Sequence, residues 1–262
     1  MAENFVIKLG GSVISRRGEL LFDFEYLNRL RKVLEPHFPL KRKFFITMGG
    51  GHLMRQYRDL AQANGLTREA SLHWIGISVN NLHAQLARSF WYDIADLKIC
   101  QDEDYLSEDL LIIGKNVKFG GGSRPVNSSD EIISGSGIEL DASGELFGSG
   151  DFDALLAALK LNTNFIISLK NVDGVYSADP KKDNLAKRLE KITWDEYLDI
   201  IGNPSEHTPG ANYPVDPVAA KVAKAKGISF YIMHGEDLDN LVNVLEGKKF
   251  SGTIISDNLE IK

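Results

Sequence analysis

Cysteine is almost missing from this sequence: Cys100 is the single one in 262 residues. One thiol supports neither a disulfide framework nor a cysteine metal site, and Cys100 reads as a small buried hydrophobe at a strand end. Long apolar runs are missing as well; none reaches the ~20 residues that span a bilayer, so no membrane partner is expected. Basic excess is absent: Lys and Arg total 30, Asp and Glu total 36, and the formal charge is −6. That excludes a general nucleic-acid binder, which needs a cationic footprint, but leaves room for a local cationic pocket around a small anion. Met1 to Asn4 lead straight into Phe5-Val6-Ile7-Lys8, with no basic segment or long apolar core of a signal peptide, so a soluble cytoplasmic protein is expected. His52, His73, His83 and His207 are scattered without metal-ligand spacing, so no metal site is expected, and there is no Gly-x-Ser-x-Gly elbow.

What is present is an ordinary globular composition, 43% apolar and 25% charged. Short apolar runs read as buried strands: Phe5 to Lys8, Phe44 to Met48, Leu97 to Cys100, Leu110 to Ile113, Phe165 to Leu169 and Ile228 to Met233, with a last β run from Gly252 to Ser256. Amphipathic stretches near 25–36, 52–64, 69–92, 153–162, 193–201, 216–226 and 237–246 read as helices. Such alternation predicts an α/β fold, a three-layer α/β/α sandwich with a mostly parallel central sheet. The whole chain, 1–262, reads as one domain, with a shallow division into lobes of about 1–160 and 161–262. Gly120 to Asp151 is rich in Gly and Ser, and Gly202 to Tyr213 reads as a mobile loop. Trp74 and Trp91 read as core or interface, and Asp102 to Asp109 as a solvated turn.

Four constellations carry chemistry. Lys8-Leu9-Gly10-Gly11-Ser12 ends the first strand; paired glycines admit a ligand close to the backbone, free N–H groups make an anion nest, and Lys8 adds a cation. The plain alternative is a tight turn with a solvated lysine. Gly49-Gly50-Gly51 follows the second strand and opens a helix, with Arg55 one turn on to face the same anion. Two glycine-lined strand ends with two cations suit two phosphates brought together, the geometry of phosphoryl transfer. Ser149-Gly150-Asp151 opens another helix; Asp151 either complements that helix or orients lysines or a cation. Lys170-Asn171-Val172-Asp173-Gly174-Val175-Tyr176 followed by Asp179-Pro180 reads as a ligand-binding loop or as a hairpin and nothing more.

Together, in this order and spacing, these motifs resemble the amino acid kinase superfamily with its carbamate-kinase-like fold, and the archaeal type of uridylate kinase in particular. Asn171 to Lys182 with Ala186-Lys187, Pro214 to Lys221, Gly252-Thr253, and Leu72 to Leu86 with Ile75-Gly76-Ile77 carry the same likeness. The resemblance implies an ATP-dependent kinase that uses Mg²⁺, moves the γ-phosphate to a phosphate monoester, UMP first, within pyrimidine metabolism, and assembles as a homo-oligomer. It implies that Lys8 neutralises the transferring group, Gly10 and Gly11 (with Ser12) bind it, Gly50, Gly51 and Arg55 hold phosphates, and Asp151 organises the cations. It implies nucleotide contacts from Lys170, Asn171, Asp173, Gly174, Tyr176 and Asp179, and acceptor contacts from Gly50, His73, Ser149 and Gly150.

The departures lie mainly at the acceptor. The family's threonine before Asn171 is Lys170; its ribose-binding aspartate falls at His73 and its helix asparagine at His83. An imidazole offers one donor and one acceptor where a carboxylate offers acceptors only, which alters the reading of a ribose. The stretch 123–148, expected to act as a lid over the acceptor, is more similar to isopentenyl phosphate kinases and fosfomycin kinases. The alternatives to UMP are therefore isopentenyl phosphate or another small phosphate, or a non-catalytic nucleotide-binding protein.

Overall fold

The computed structural model describes residues 3–15, 21–101, 115–122, 125–127, 133, 135–136, 138, 145–146, 149–180, 182–202, 204 and 213–258. In chain order, β1 (Asn4–Leu9), α1 (Gly11–Ile14) and α2 (Phe24–Leu34) are followed by a 3-10 turn over Glu35–Leu40. Then come β2 (Lys43–Met48), α3 (Gly51–Ala63), α4 (Glu69–Phe90), β3 (Val117–Gly120), β4 (Val126–Asn127), β5 (Glu145–Leu146), α5 (Gly150–Lys160) and β6 (Phe165–Lys170). The remainder is β7 (Val175–Tyr176), β8 (Arg188–Leu189), β9 (Lys191–Ile192), α6 (Trp194–Ile200), α7 (Pro217–Lys226), β10 (Ser229–His234), α8 (Leu238–Leu245) and β11 (Thr253–Ile255).

Seven strands form one sheet in the order β3-β2-β1-β6-β10-β11-β9. The five from β3 to β10 run parallel; β11 pairs antiparallel to β10, and β9 runs parallel to β11. Side chains alternate across the strands. Val6, Phe45, Ile166 and Phe230 pack under α5, α6 and α7, whereas Phe5, Ile7, Phe44, Ile46 and Ile167 pack under α2, α4 and α8. The expected three-layer α/β/α sandwich is therefore the fold, and near-continuous burial of both faces explains why its strands read as short apolar runs. No helix among the described residues is long and apolar enough to cross a membrane.

The central position of β1 matters for the site. From β1 the chain proceeds to β2 and β3 on one side, then returns to β6 and β10 on the other. In open α/β sheets such a switch leaves a crevice at the carboxyl ends of the strands, where ligands bind.

One expectation needs correction. Leu97 to Cys100 is not a strand. Leu97 is 74% exposed, and the segment touches the sheet only through bridges Ala95↔Val117 and Cys100↔Gly120. The edge strand beside β2 is Val117–Gly120, whose Val-Lys-Phe-Gly sequence is too short to stand out as an apolar run. The run Leu110 to Ile113, the turn Asp102 to Asp109 and most of 123–148 and 202–213 lie outside the described residues. Trp91 and Cys100 are buried, while Trp74 is half exposed on α4.

Local chemistry sets the helix starts that frame the crevice. Thr193 and Glu196 form a reciprocal capping box at α6. Asp216 caps α7 by accepting from Ala219 N at 2.9 Å, with Pro217 at the first helical position. Tyr197 fixes the entry to that cap: its hydroxyl accepts from Val215 N at 2.7 Å and donates to Val215 O. Both groups are buried, so Tyr197→Phe leaves a backbone donor and acceptor unpaired. It is expected to lower stability in urea unfolding by about 1–3 kcal/mol. An unchanged unfolding midpoint shows that this tie does not hold Asp216.

Candidate active site

Two glycine turns meet at the switch point. Gly10 N donates to Leu169 O at 2.8 Å, and Gly49 N donates to Leu9 O at 3.0 Å, so each turn is tied to the neighbouring strand end. Gly51 has φ +58°, and a Cβ on Gly11 would lie 2.0 Å from Gly51 N. Neither place admits a side chain, because the opposing atoms are backbone and cannot swing away. Behind this contact, His83 is fully buried with Nδ1 at 2.8 Å from Gly49 O. A carbonyl only accepts, so Nδ1 carries the proton, and burial lowers the imidazole pKa and keeps it neutral. His83 thus positions the Gly49–Gly51 turn from behind and does not line the cavity, a correction to its reading as an acceptor-site substitution.

Between the turns sits a buried carboxylate. Period-two alternation sends Lys8 of β1 and Lys170 of β6 to the face covered by α5. Asp151, in the first turn of α5, meets both: Lys8 Nζ is 3.2 Å from Oδ1, and Lys170 Nζ is 2.8 Å from Oδ1 and 3.0 Å from Oδ2. Ser149 caps the helix through Asp151 N at 3.1 Å, and its hydroxyl donates to Asp216 Oδ2 at 2.5 Å. Asp216 N in turn reaches Asp151 Oδ2 at 3.3 Å. Burial alone would raise the Asp151 pKa; the ammonium groups of Lys170 and Lys8 outweigh it and hold the carboxyl at about 2. Burial pulls Lys170 down to about 7 against the attraction of Asp151, and the Lys8 ammonium adds to that lowering. One carboxylate facing two lysines leaves positive charge in excess, which suits an incoming anion.

A cavity of about 780 Å³ runs across this centre. His83 apart, the site residues expected from the sequence line it: Lys8, Gly10, Gly11, Ser12, Gly50, Gly51, Arg55, His73, Ser149, Gly150, Asp151, Lys170, Asn171, Asp173, Gly174, Tyr176 and Asp179. Lys170, expected beside the nucleotide loop, instead makes its contacts with Asp151. On the β6 side, Val175–Tyr176 pairs with Arg188–Leu189 as a small hairpin. Asp173 accepts there from Tyr176 Oη at 3.0 Å and from Arg188 Nη1 at 3.1 Å, which braces the loop. Ile200, Ile201, Tyr213 and Pro214 also line the cavity. On the β2 side, α3 contributes Met54, Arg55 and Arg58, and α4 contributes Leu72, His73, Gly76, Ile77 and Asn80.

Arg58, Asn80 and Asp216 line the cavity without having been singled out from the sequence. For the first two the signal was helical spacing: Gly51, Met54, Arg55 and Arg58 share one face of α3, and His73, Gly76, Ile77 and Asn80 share one face of α4. Asp216 caps α7, and only the fold brings its other oxygen to Ser149.

Fold and site define an α/β protein built to receive anionic phosphates where its central strands end. Comparison with known proteins narrows this. Residues 124–234 match the model of the amino acid kinase family. A uridylate kinase of Methanoculleus marisnigri is 31% identical, covering 97% of this chain and 96% of the relative. One of Pyrococcus abyssi is 29% identical over 95% of this chain and 98% of the relative. The solved uridylate kinase of Archaeoglobus fulgidus superimposes with a TM-score of 0.71 at 27% identity, covering 97% of this chain and 100% of that one. A UMP kinase of Bacillus anthracis, 18% identical with a TM-score of 0.71 over 98% of this chain and 96% of that one, shares the fold. The chain belongs to the amino acid kinase family and is similar along its length to archaeal uridylate kinases.

The depressed Lys170 has a measurable consequence. Below pH 7 the ammonium is already charged; above it, an anion that binds must draw a proton onto Lys170. Sulfate has no titratable proton near neutrality, so calorimetry in buffers of different ionisation enthalpy is expected to show proton uptake at pH 8 and little at pH 6, with affinity falling as pH rises. Lys170→Arg keeps its charge and is expected to abolish the uptake. Uptake that persists in this variant assigns the titration to another group.

Proposed function

We propose that this chain transfers the γ-phosphate of ATP to UMP, giving ADP and UDP. The observation that carries the reading is the Lys8–Asp151–Lys170 cluster at the meeting point of two glycine turns, in a chain of this family. An oxygen of the acceptor phosphate attacks the γ-phosphorus in line while the bridging oxygen to the β-phosphorus departs, with no covalent enzyme intermediate. Lys8 and Lys170 neutralise the charge that spreads over the transferring group, and Asp151 keeps both ammonium groups in place before the substrates arrive. Gly11 and Ser12 offer backbone N–H groups to the same group, whereas the N–H of Gly10, expected to join them, is taken by Leu169 O and only its lack of a side chain serves the site. Gly50 and Gly51, at the start of α3, hold phosphate with Arg55. The 171–180 loop, with Tyr176 and Asp179, takes the adenine nucleotide.

Among the described residues no group of three His, Cys, Asp or Glu could hold a metal ion, and Asp151 is already taken by two lysines. This donor set fits Mg²⁺ that arrives on the nucleotide, since the ion keeps most of its waters and binds chiefly through substrate phosphates. Carried on the substrate phosphates beside Lys8 and Lys170, it would supply further neutralisation of their charge. A cytoplasmic role in pyrimidine nucleotide supply follows from the reaction. A homo-oligomer follows from the family, and exposed Tyr57 and Leu60 on α3 and Trp74 and Leu82 on α4 supply apolar surface for it.

Met54, Leu72 and Ile77 make part of the acceptor wall apolar, which favours as a second reading a smaller phosphate monoester such as isopentenyl phosphate. An ADP-release assay with ATP and Mg²⁺ against UMP, other nucleoside monophosphates and isopentenyl phosphate separates the two. Fast turnover with UMP is expected. Turnover with isopentenyl phosphate alone transfers the chain to the second reading, and binding of ATP without turnover of any acceptor supports a nucleotide-binding role instead. In the same assay, Lys8→Ala is expected to lose at least about 100-fold in kcat. The fold should survive, because Lys170 still pairs with Asp151. Near-normal turnover in Lys8→Ala removes that lysine from the chemistry.

A further inference from the structure

The β2 end of the cavity carries more positive charge than a single phosphate-holding arginine provides. Arg55 and Arg58 lie three residues apart on α3, and both line the cavity. Arg58 is only 9% exposed, and among the described residues its one hydrogen bond is from Nη1 to Met54 Sδ at 3.7 Å, a weak acceptor. No carboxylate among the described residues forms an ion pair with either guanidinium. Asp59, whose charge reaches Arg55, is exposed and does not line the cavity; nor does Glu69 of α4. The Arg58 charge itself disfavours the charge on Arg55, after burial. Two like charges side by side, one nearly buried and neither paired, are costly in the empty protein. An anion that enters between them removes that cost, and a guanidinium suits phosphate because its fork of donors matches two oxygens at once.

We propose that Arg58 is a second acceptor-phosphate ligand, and that Arg55 and Arg58 together select an acceptor with a doubly charged terminal phosphate. This rests on the reading of the α3–α4 end as the acceptor end. The carboxylates that line the cavity are otherwise occupied: Asp151 by Lys8 and Lys170, Asp173 by Tyr176 and Arg188, Asp216 by Ser149 and the start of α7, and Asp179 with Lys182 at 3.9 Å, while Asp153 has contacts of its own. On α4, His73 faces the same end of the cavity and brings no carboxylate to it. The charge at this end is therefore left to read the phosphate.

The test compares the wild type with Arg58→Met, which keeps the unbranched bulk against Met54, and with Arg58→Lys, which keeps the charge. With UMP as acceptor, Arg58→Met is expected to raise KM for UMP about 10- to 100-fold, with KM for ATP and the urea midpoint little changed, and Arg58→Lys to recover part of the loss. An unchanged KM for UMP, or a rise confined to ATP, overturns the proposal. So does a loss that tracks a lowered urea midpoint in both variants, which marks Arg58 as structural. If the wild type does not phosphorylate UMP, the acceptor reading fails and the proposal is decided separately. With the donor end filled by a non-hydrolysable ATP analogue, inorganic phosphate is titrated by calorimetry. Affinity at least about tenfold weaker in Arg58→Met upholds the second phosphate ligand, and equal affinity overturns it.

Discussion

One carboxylate holding two ammonium groups is the contact on which the site depends. Asp151 is fully buried, yet its pairing with Lys8 and Lys170 keeps it ionised. The two lysines come from strands on either side of a parallel ladder, and without a shared counter-ion they would repel each other in a region of low dielectric. The carboxylate therefore makes it possible to store cationic charge next to the glycine turns before any substrate is present. Because one negative charge serves two positive ones, the cluster keeps a surplus that an anion satisfies. Burial, with the Lys8 ammonium adding to it, is why Lys170 loses its proton more readily in the empty protein.

The support for this cluster extends outward in layers. Ser149 caps α5 and places Asp151 in the first helical turn, where the helix dipole favours a carboxylate. The same hydroxyl ties α5 to the cap of α7 through Asp216, and Tyr197 pins the segment just before that cap. His83 holds the carbonyl of Gly49 from behind. None of these groups needs to touch a substrate. Their effect is to remove freedom from the lysines and from the glycine N–H groups, so that binding does not have to order them, which is the physical content of preorganisation.

The two ends of the cavity are built on different principles. At the β6 end, Asp173, Tyr176 and Arg188 bond among themselves, and Val175 N donates to Thr253 Oγ1 at 2.8 Å, so the loop is braced by its own polar groups. At the β2 end the polar groups of α3 are left for the ligand, with Met54, Leu72 and Ile77 around them. On the function proposed, a braced loop suits a donor that is the same in every turnover. An open, cationic wall on the other side is where members of one fold can differ in what they bind, because a few side chains on two helices can change without disturbing the Lys8–Asp151–Lys170 cluster.

Much of this was legible in the sequence. The layer architecture followed from the alternation of apolar runs with amphipathic stretches, and the glycine turns, Lys8 and Asp151 were identifiable because each stands at the end of a strand or the start of a helix, where local sequence fixes local structure. Val117–Gly120 escaped because a four-residue edge strand has too little periodicity to separate from a loop, and Leu97 to Cys100 misled because an apolar run need not be buried. Arg58, Asn80 and the second role of Asp216 were hidden for a different reason: the sequence gives the face of a helix but not what that face meets. By itself, then, the sequence determined the fold class, the turns and the residue types of the transfer centre. The tertiary structure decided which charges share a partner and which are left without one, because pairing is a matter of a few ångströms between elements far apart in the chain, and only packing fixes that distance.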